Sequence, residues 1–247
     1  MPRWPISGPA ARRSGASARS SRGRQKRNRC CIRDPDVLTR PLRVVVLLSG
    51  RGSNLRAIVE AALPIEIVAV IGNRPQAPGL AYARESGLPT FALDHTAYAD
   101  RVAFDARLAD EIERHRPGLV VLAGYMRILS PAFIERFEGR LLNIHPSLLP
   151  AFPGLKTHER ALAEGVKIHG CTVHFVTATL DHGPIVAQAA VPVRADDTPA
   201  VLADRVLAQE HRIYPQAIRW FAEDRLVHDG GKVNLAGGSG SQSVLTV

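Results

Sequence analysis

The segment Asn143-Ile144-His145-Pro146 closes an apolar run and sets an amide and an imidazole two residues apart. On an extended backbone that spacing turns both side chains to one face. An Asn amide can donate to the oxyanion of a tetrahedral intermediate, and a histidine manages a proton near neutral pH. The pair therefore suits acyl transfer to an amine. A satisfied histidine that merely closes a strand is the competing reading. Asp181 sits far downstream, in the turn Leu180-Asp181-His182-Gly183-Pro184. A carboxylate delivered beside His145 would hold its imidazolium form; alone, an Asp-Xaa-Gly segment is a turn former.

Two further segments carry chemistry. Ser49-Gly50-Arg51-Gly52-Ser53-Asn54 lies between an apolar run and an amphipathic one. Glycines let backbone approach an anion, and a helix start offers free N–H groups, so phosphate is the expected guest. The loop is neither G-x-G-x-x-G nor a Walker A sequence, and a tight turn with caps is the alternative. Gly124-Tyr125-Met126-Arg127-Ile128-Leu129-Ser130-Pro131 displays apolar residues where a loop is usually polar, either lining a slot for a flat heterocycle or capping the core. No metal site is expected: the nine histidines include no H-E-x-x-H, and His158-Glu159 lacks the second histidine. The absence of a G-x-S-x-G elbow argues against a Ser-His-Asp hydrolase.

The elements that must position these groups follow from periodicity. LRVVVLLSG from Leu42 is a strand buried on both faces, and NLRAIVEAAL has helical spacing with Asn54 or Ser53 available as N-cap. A strand IEIVAVIGN, a helix around Leu80–Ser86 stopped by Gly87, and a short strand Thr90–Leu93 follow. Tyr98–Arg116 is a long amphipathic helix with Val102, Leu108 and Ile112 inward, and PGLVVLAGY is another buried strand. Strands alternating with helices predict an α/β fold, an open, mostly parallel, Rossmann-like sheet with helices on both faces. Arg140–Ile144 adds a strand, and the prolines and glycine of HPSLLPAFPGLKTH make a shaped loop. HGCTVHFVT and PIVAQAAVPV are two late strands, partly antiparallel, on the sheet edge. Thr198 or Asp197 caps a last helix whose Leu202, Val206, Ile213, Ile218 and Phe221 form an apolar stripe.

Charge separates the chain into parts. Residues 1–40 hold eleven Lys/Arg against Asp34 and Asp36, which accounts for the net +9, whereas residues 41–247 hold 21 basic and 21 acidic residues. The balanced part argues against a nucleic-acid partner. The expected organisation is a disordered basic extension at 1–40, a catalytic domain at 41–229, and a flexible tail at 230–247. The extension has the composition of a transit peptide, a basic arm or a translated upstream stretch. The three cysteines fit no disulfide framework or zinc spacing, and no apolar run approaches the roughly 20 residues of a membrane span. A cytoplasmic enzyme is expected, or an organelle one if 1–40 is a transit peptide.

LLSGRGSNLRAI, LAGYMRILSP, LLNIHPSLLPAFPGLKTH, HGCTVHFVT, LDHGPIVAQ and QEHRIYP, in this order over roughly residues 42–228, resemble the phosphoribosylglycinamide formyltransferase family of purine synthesis. The resemblance implies 10-formyltetrahydrofolate as co-substrate, small-molecule substrates, no metal, and a monomer or homodimer. It implies Asn143, His145 and Asp181 as the catalytic trio, and Gly52, Ser53, Asn54 and Glu210 as contacts to the glycinamide ribonucleotide. It assigns Arg101, Met126, Arg127, Ile128 and Leu129, with Asn143 and Asp181, to the folate, the Thr177–Asp181 loop closing on the pterin. Tyr125 stands where that family more often has Phe, Lys156 where His or Ala is common, and His182 where a small residue is usual.

Related alternatives are methionyl-tRNA formyltransferase, which usually has a further C-terminal domain, and formyltetrahydrofolate deformylase, which usually has an N-terminal regulatory one. Neither extra domain is expected in a chain of this length. A noncatalytic module with a basic arm is the alternative from another class. Deletion of residues 1–40 is expected to leave formyl transfer unchanged, measured as initial rate beside the full chain.

Overall fold

The computed structural model describes residues 40–237 and 242–245, all within the unit Thr39–Val247. Apart from Arg40, the expected basic extension lies outside the described residues.

The chain runs β1 (Leu42–Leu48), α1 (Ser53–Glu60), β2 (Ile65–Gly72), α2 (Pro78–Glu85) and β3 (Thr90–Ala92). A 3-10 turn at His95–Ala97 leads to α3 (Arg101–Arg114), β4 (Leu119–Leu122), α4 (Pro131–Arg136) and β5 (Leu141–His145). Then come α5 (Thr157–Ala163), β6 (Ile168–Phe175), β7 (Ile185–Pro192), α6 (Pro199–Ala222), β8 (Leu226–Asp229), β9 (Lys232–Leu235) and β10 (Ser243–Leu245). One eight-stranded sheet has the order β10-β7-β6-β5-β4-β1-β2-β3. The strands from β5 to β3 pair in parallel; β6 is antiparallel to both β5 and β7, as the late alternation predicted.

The period-2 geometry of β1 shows why the sheet is covered twice. Val44, Val46 and Leu48 pack into one core with Leu55 and Ile58 of α1 and Leu202, Val206 and Ile218 of α6. Val45 and Leu47 pack into the other with Phe104, Leu108 and Ile112 of α3 and Phe133 of α4. Tyr214 of α6 is fully buried, and its hydroxyl is directed to two carbonyls at once, Leu122 O at 3.0 Å and Leu142 O at 2.9 Å. It spans the β4–β5 step immediately before Asn143.

Three expectations are corrected. Within the expected tail from 230, Lys232–Leu235 is a strand pairing antiparallel with β8, and Ser243–Leu245 adds in parallel to β7, so among the described residues β10 rather than β7 is the edge. The side-chain amide of Gln242 donates to Val186 O and Val233 O, tying that strand down. The α1 cap is Gly52, in the left-handed conformation, not Ser53 or Asn54. Val102 is 59% exposed, because Asp100 accepts from the Ala103 N–H at 2.8 Å and fixes the start of α3. The buried face is then Phe104, Asp105, Leu108 and Ile112, with Val102 on the far side.

Tyr214→Phe leaves two buried carbonyls without their shared donor. It should lower unfolding stability by about 1–3 kcal/mol in urea titration, with the denaturant slope unchanged.

Candidate active site

Asn143 and His145 lie on one face of β5, Leu142 and Ile144 on the other, which packs in the α6-side core. Across the antiparallel ladder Asn143 is opposite His174, and His145 opposite Thr172. His174 is the residue that sequence reading missed. Its Nδ1 lies 3.0 Å from Phe175 O and its Nε2 3.1 Å from Asn143 Nδ2. Nδ1–H donates to that carbonyl, so Nε2 keeps its lone pair and accepts from the Asn143 amide. Burial pushes the His174 pKa down, against the opposing pull of the Phe175 carbonyl and Asp181, which keeps the ring neutral in this role. The amide is held by one of its two N–H groups, and the second is available to a guest.

His145 faces an oxygen at each ring nitrogen: Nε2 is 3.0 Å from Phe152 O, and Nδ1 is 3.5 Å from Asp181 Oδ2. Neutral imidazole can donate to only one of them; the cation can donate to both. Asp181 reaches this position because residues 176–184 leave β6 beside Leu141 and fold back over the Asn143 face. The Val176 N–H donates to Leu141 O, and a Cβ on Gly183 would collide with the Phe175 carbonyl oxygen. Asp181 itself has φ 49°, and its side chain is 8% exposed. Its Oδ2 accepts from the Gly154 N–H at 2.8 Å, and its Oδ1 is 3.9 Å from His174 Nε2.

The shaped loop between β5 and α5 is bound to the sheet by side chains. Thr172 Oγ1 donates to Ser147 O at 2.7 Å and accepts from the Leu149 N–H at 3.0 Å, while Gln188 Nε2 donates to Leu149 O at 2.9 Å. Ser147 Oγ donates to Ala151 O at 2.6 Å. Below the loop, His158 Nδ1 and His169 Nε2 lie 3.2 Å apart. Burial and then the neighbouring His158 push the His169 pKa from 6.5 to about 4.

On the α6 side of β5 a cavity of about 360 Å³ is lined by the 49–54 loop, Arg74, Ile144, Pro146 and Glu210. Gly52 has φ 77°, and a Cβ there would stand 2.7 Å from Gly79 Cα; only glycine fits. No side chain caps α1, so the N–H groups of its first turn are left for an anion. The Asn54 side chain points inward and donates to Glu210 Oε2 at 2.8 Å. Burial pushes the Glu210 pKa up, with the Asn54 bond in opposition.

A narrow slot of about 110 Å³ on the other face is lined by Tyr125, Arg127, Ile128, Leu129, Asn143, His174 and residues 176–178, 180 and 181. Asn143 and Asp181 thus border the slot, while Met126 lines the first cavity and is 67% exposed. Arg127 lays its guanidinium 4.9 Å from the Phe104 ring centroid. Arg101 is exposed and lines neither cavity; it lies one turn before Asp105, whose Oδ2 accepts from the Ser130 N–H at 2.6 Å. Ser49 Oγ accepts from the Met126 N–H at 2.8 Å and donates to Asn73 Oδ1 at 2.6 Å. Ser49 and Asp105 thus pin the loop between the two cavities at both ends.

The formyl transferase family matches over residues 42–218. The chain belongs to the formyl transferase family. It is 51% identical over 189 residues to phosphoribosylglycinamide formyltransferase of Escherichia coli, covering 75% of this chain and 89% of that protein. It is 43% identical over 196 residues to the human trifunctional purine biosynthetic protein adenosine-3, of which it spans 19%. The solved glycinamide ribonucleotide transformylase 1 of Symbiobacterium toebii superposes with a TM-score of 0.77 at 51% identity, covering 79% of this chain and 94% of that one. The family accounts for the mixed sheet and for the order of the segments around the site.

His174→Phe removes the acceptor that orients Asn143. Turnover is expected to fall by about 10-fold or more with circular dichroism unchanged, measured as kcat.

Proposed function

We propose that this protein transfers the formyl group of 10-formyltetrahydrofolate to the amine of 5'-phosphoribosylglycinamide. One observation supports the reading: Asp181 comes within 3.5 Å of His145 of β5 and borders, with Asn143, a slot that lies across the strand from a cavity containing Glu210. The ribotide phosphate sits at Gly52, Ser53 and Asn54, where uncapped N–H groups face the cavity. Glu210 takes the glycine amine end. The folate ring enters the slot against Arg127, Ile128 and Leu129; Met126 separates the two ligands, and Arg101 meets the folate's anionic end from the side of α3.

The chemistry is a single acyl transfer. The neutral amine attacks the formyl carbon, and the carbonyl electrons move to oxygen. The free Asn143 N–H stabilises that oxyanion. Protonated His145 turns its Nε2–H, now held by the Phe152 carbonyl, to the same oxygen and stabilises it as a hydrogen-bond donor, and Asp181 balances the imidazolium at Nδ1. Collapse breaks the bond from carbon to N10, and the proton lost by the amine reaches N10 through water. Formyl glycinamide ribonucleotide and tetrahydrofolate are the products.

Purified protein mixed with 10-formyltetrahydrofolate should release tetrahydrofolate only when the ribotide is present. Release without the amine would make the protein a hydrolase, and no release in either case would overturn the reading. His145→Ala and Asp181→Asn are each expected to lower turnover by about 10² or more; near-normal rates would relocate the centre.

A further inference from the structure

The slot wall carries a polar group that none of the roles above uses. Tyr125 lines the slot and is 8% exposed, and its hydroxyl is buried without a hydrogen-bond partner among the described residues. Two charged neighbours are in the same condition: Asp105 Oδ1 on α3 and Arg127 Nε on the loop. Both act on the phenol electrostatically. Burial is the main cause that pushes its pKa up; Asp105 adds to the shift, and Arg127 opposes it.

The three atoms are complementary. A guanidinium N–H only donates, a carboxylate oxygen only accepts, and a tyrosine hydroxyl does both. The order Arg127 Nε–H to Tyr125 Oη, then Tyr125 O–H to Asp105 Oδ1, would satisfy all three. Leaving such groups unpaired in a low-dielectric interior is costly, so a state that joins them is favoured. The surrounding anchors show where movement can occur. Ser49 holds the Met126 N–H and Asp105 Oδ2 holds the Ser130 N–H, while Tyr125, Arg127 and Leu129 line the slot between them. A flat ring pressed into the slot bears on the residues whose polar atoms lack partners.

We propose that Tyr125 is a positioning residue for the occupant of this slot: its hydroxyl joins Arg127 to Asp105 in a hydrogen-bonded lock, open in the empty protein and formed when the slot is filled. The proposal rests on the reading that the slot takes the folate ring. Because the lock exists only in the filled state, its free energy appears as affinity for the folate and not as stability of the empty protein.

Tyr125→Phe keeps the ring and removes the lock. The Kd for tetrahydrofolate by titration calorimetry and the KM for 10-formyltetrahydrofolate should each rise by about 5- to 20-fold. The kcat and the KM for the ribotide should hold within about twofold, and the ligand-free melting temperature should stay level or rise, since an unpaired buried hydroxyl is gone. Unchanged folate affinity in the variant overturns the lock, as does a fall in ligand-free melting temperature without a change in KM. A wild-type protein that binds no tetrahydrofolate overturns the folate reading itself, an outcome distinct from equal binding by both proteins.

Discussion

The Asp181 carboxylate accepts the Gly154 N–H with one oxygen, turns the same oxygen to His145, and turns the other toward His174. Those contacts bring together the loop after β5, the strand β5 itself, β6, and the turn that carries the aspartate. A carboxylate at this junction needs donors, and they come from two different parts of the chain, the Gly154 N–H and the His145 ring. The left-handed backbone at Asp181 and the close approach of Gly183 to Phe175 are the local conditions that let the turn fold back this far.

The two faces of the sheet divide the labour. On the α6 side the ligand-facing groups are mostly backbone and buried carboxyl, suited to an anion and an amine. On the α3 side apolar Ile128, Leu129 and Val176 stand beside polar Arg127, Asn143 and Asp181, suited to a ring with polar edges. The loop between them belongs to both cavities, and its anchors, Ser49 and Asp105, come from different strand–helix units. A shift of that loop would therefore alter both cavities together.

Much of this was legible in the sequence. The β-branched run at Leu42–Leu48, the glycines after it, and the Asn-Ile-His-Pro spacing are local signals with local causes, and the structure places them as expected. The parallel sheet and the antiparallel late pair followed from alternation. His174 was missed because its role depends on register: only the pairing of Asn143 with His174, rather than with a residue one step away, gives the amide its acceptor. Its position two residues after Thr172, on the same face of a strand neighbouring β5, was the available signal. The Gln242 anchor and the β10 pairing were invisible for a related reason, since a three-residue strand far from its partner leaves no periodic trace. Val102 was misjudged because a helical stripe can be phased two ways, and the Asp100 cap chose between them.

The contact between Gly52 and Gly79 has a kinetic meaning. Two helix starts, α1 and α2, touch there through backbone alone, and the Gly79 N–H donates to Gly50 O at 3.0 Å. Nothing in that contact has a rotamer to search or a long side chain to order. The 49–54 loop is consequently preorganised, its shape set by backbone contacts alone. Little conformational entropy remains to be lost there on association. If the phosphate of the proposed substrate binds there, its capture proceeds at a rate governed by encounter, leaving slower adjustments to the opposite face of the sheet.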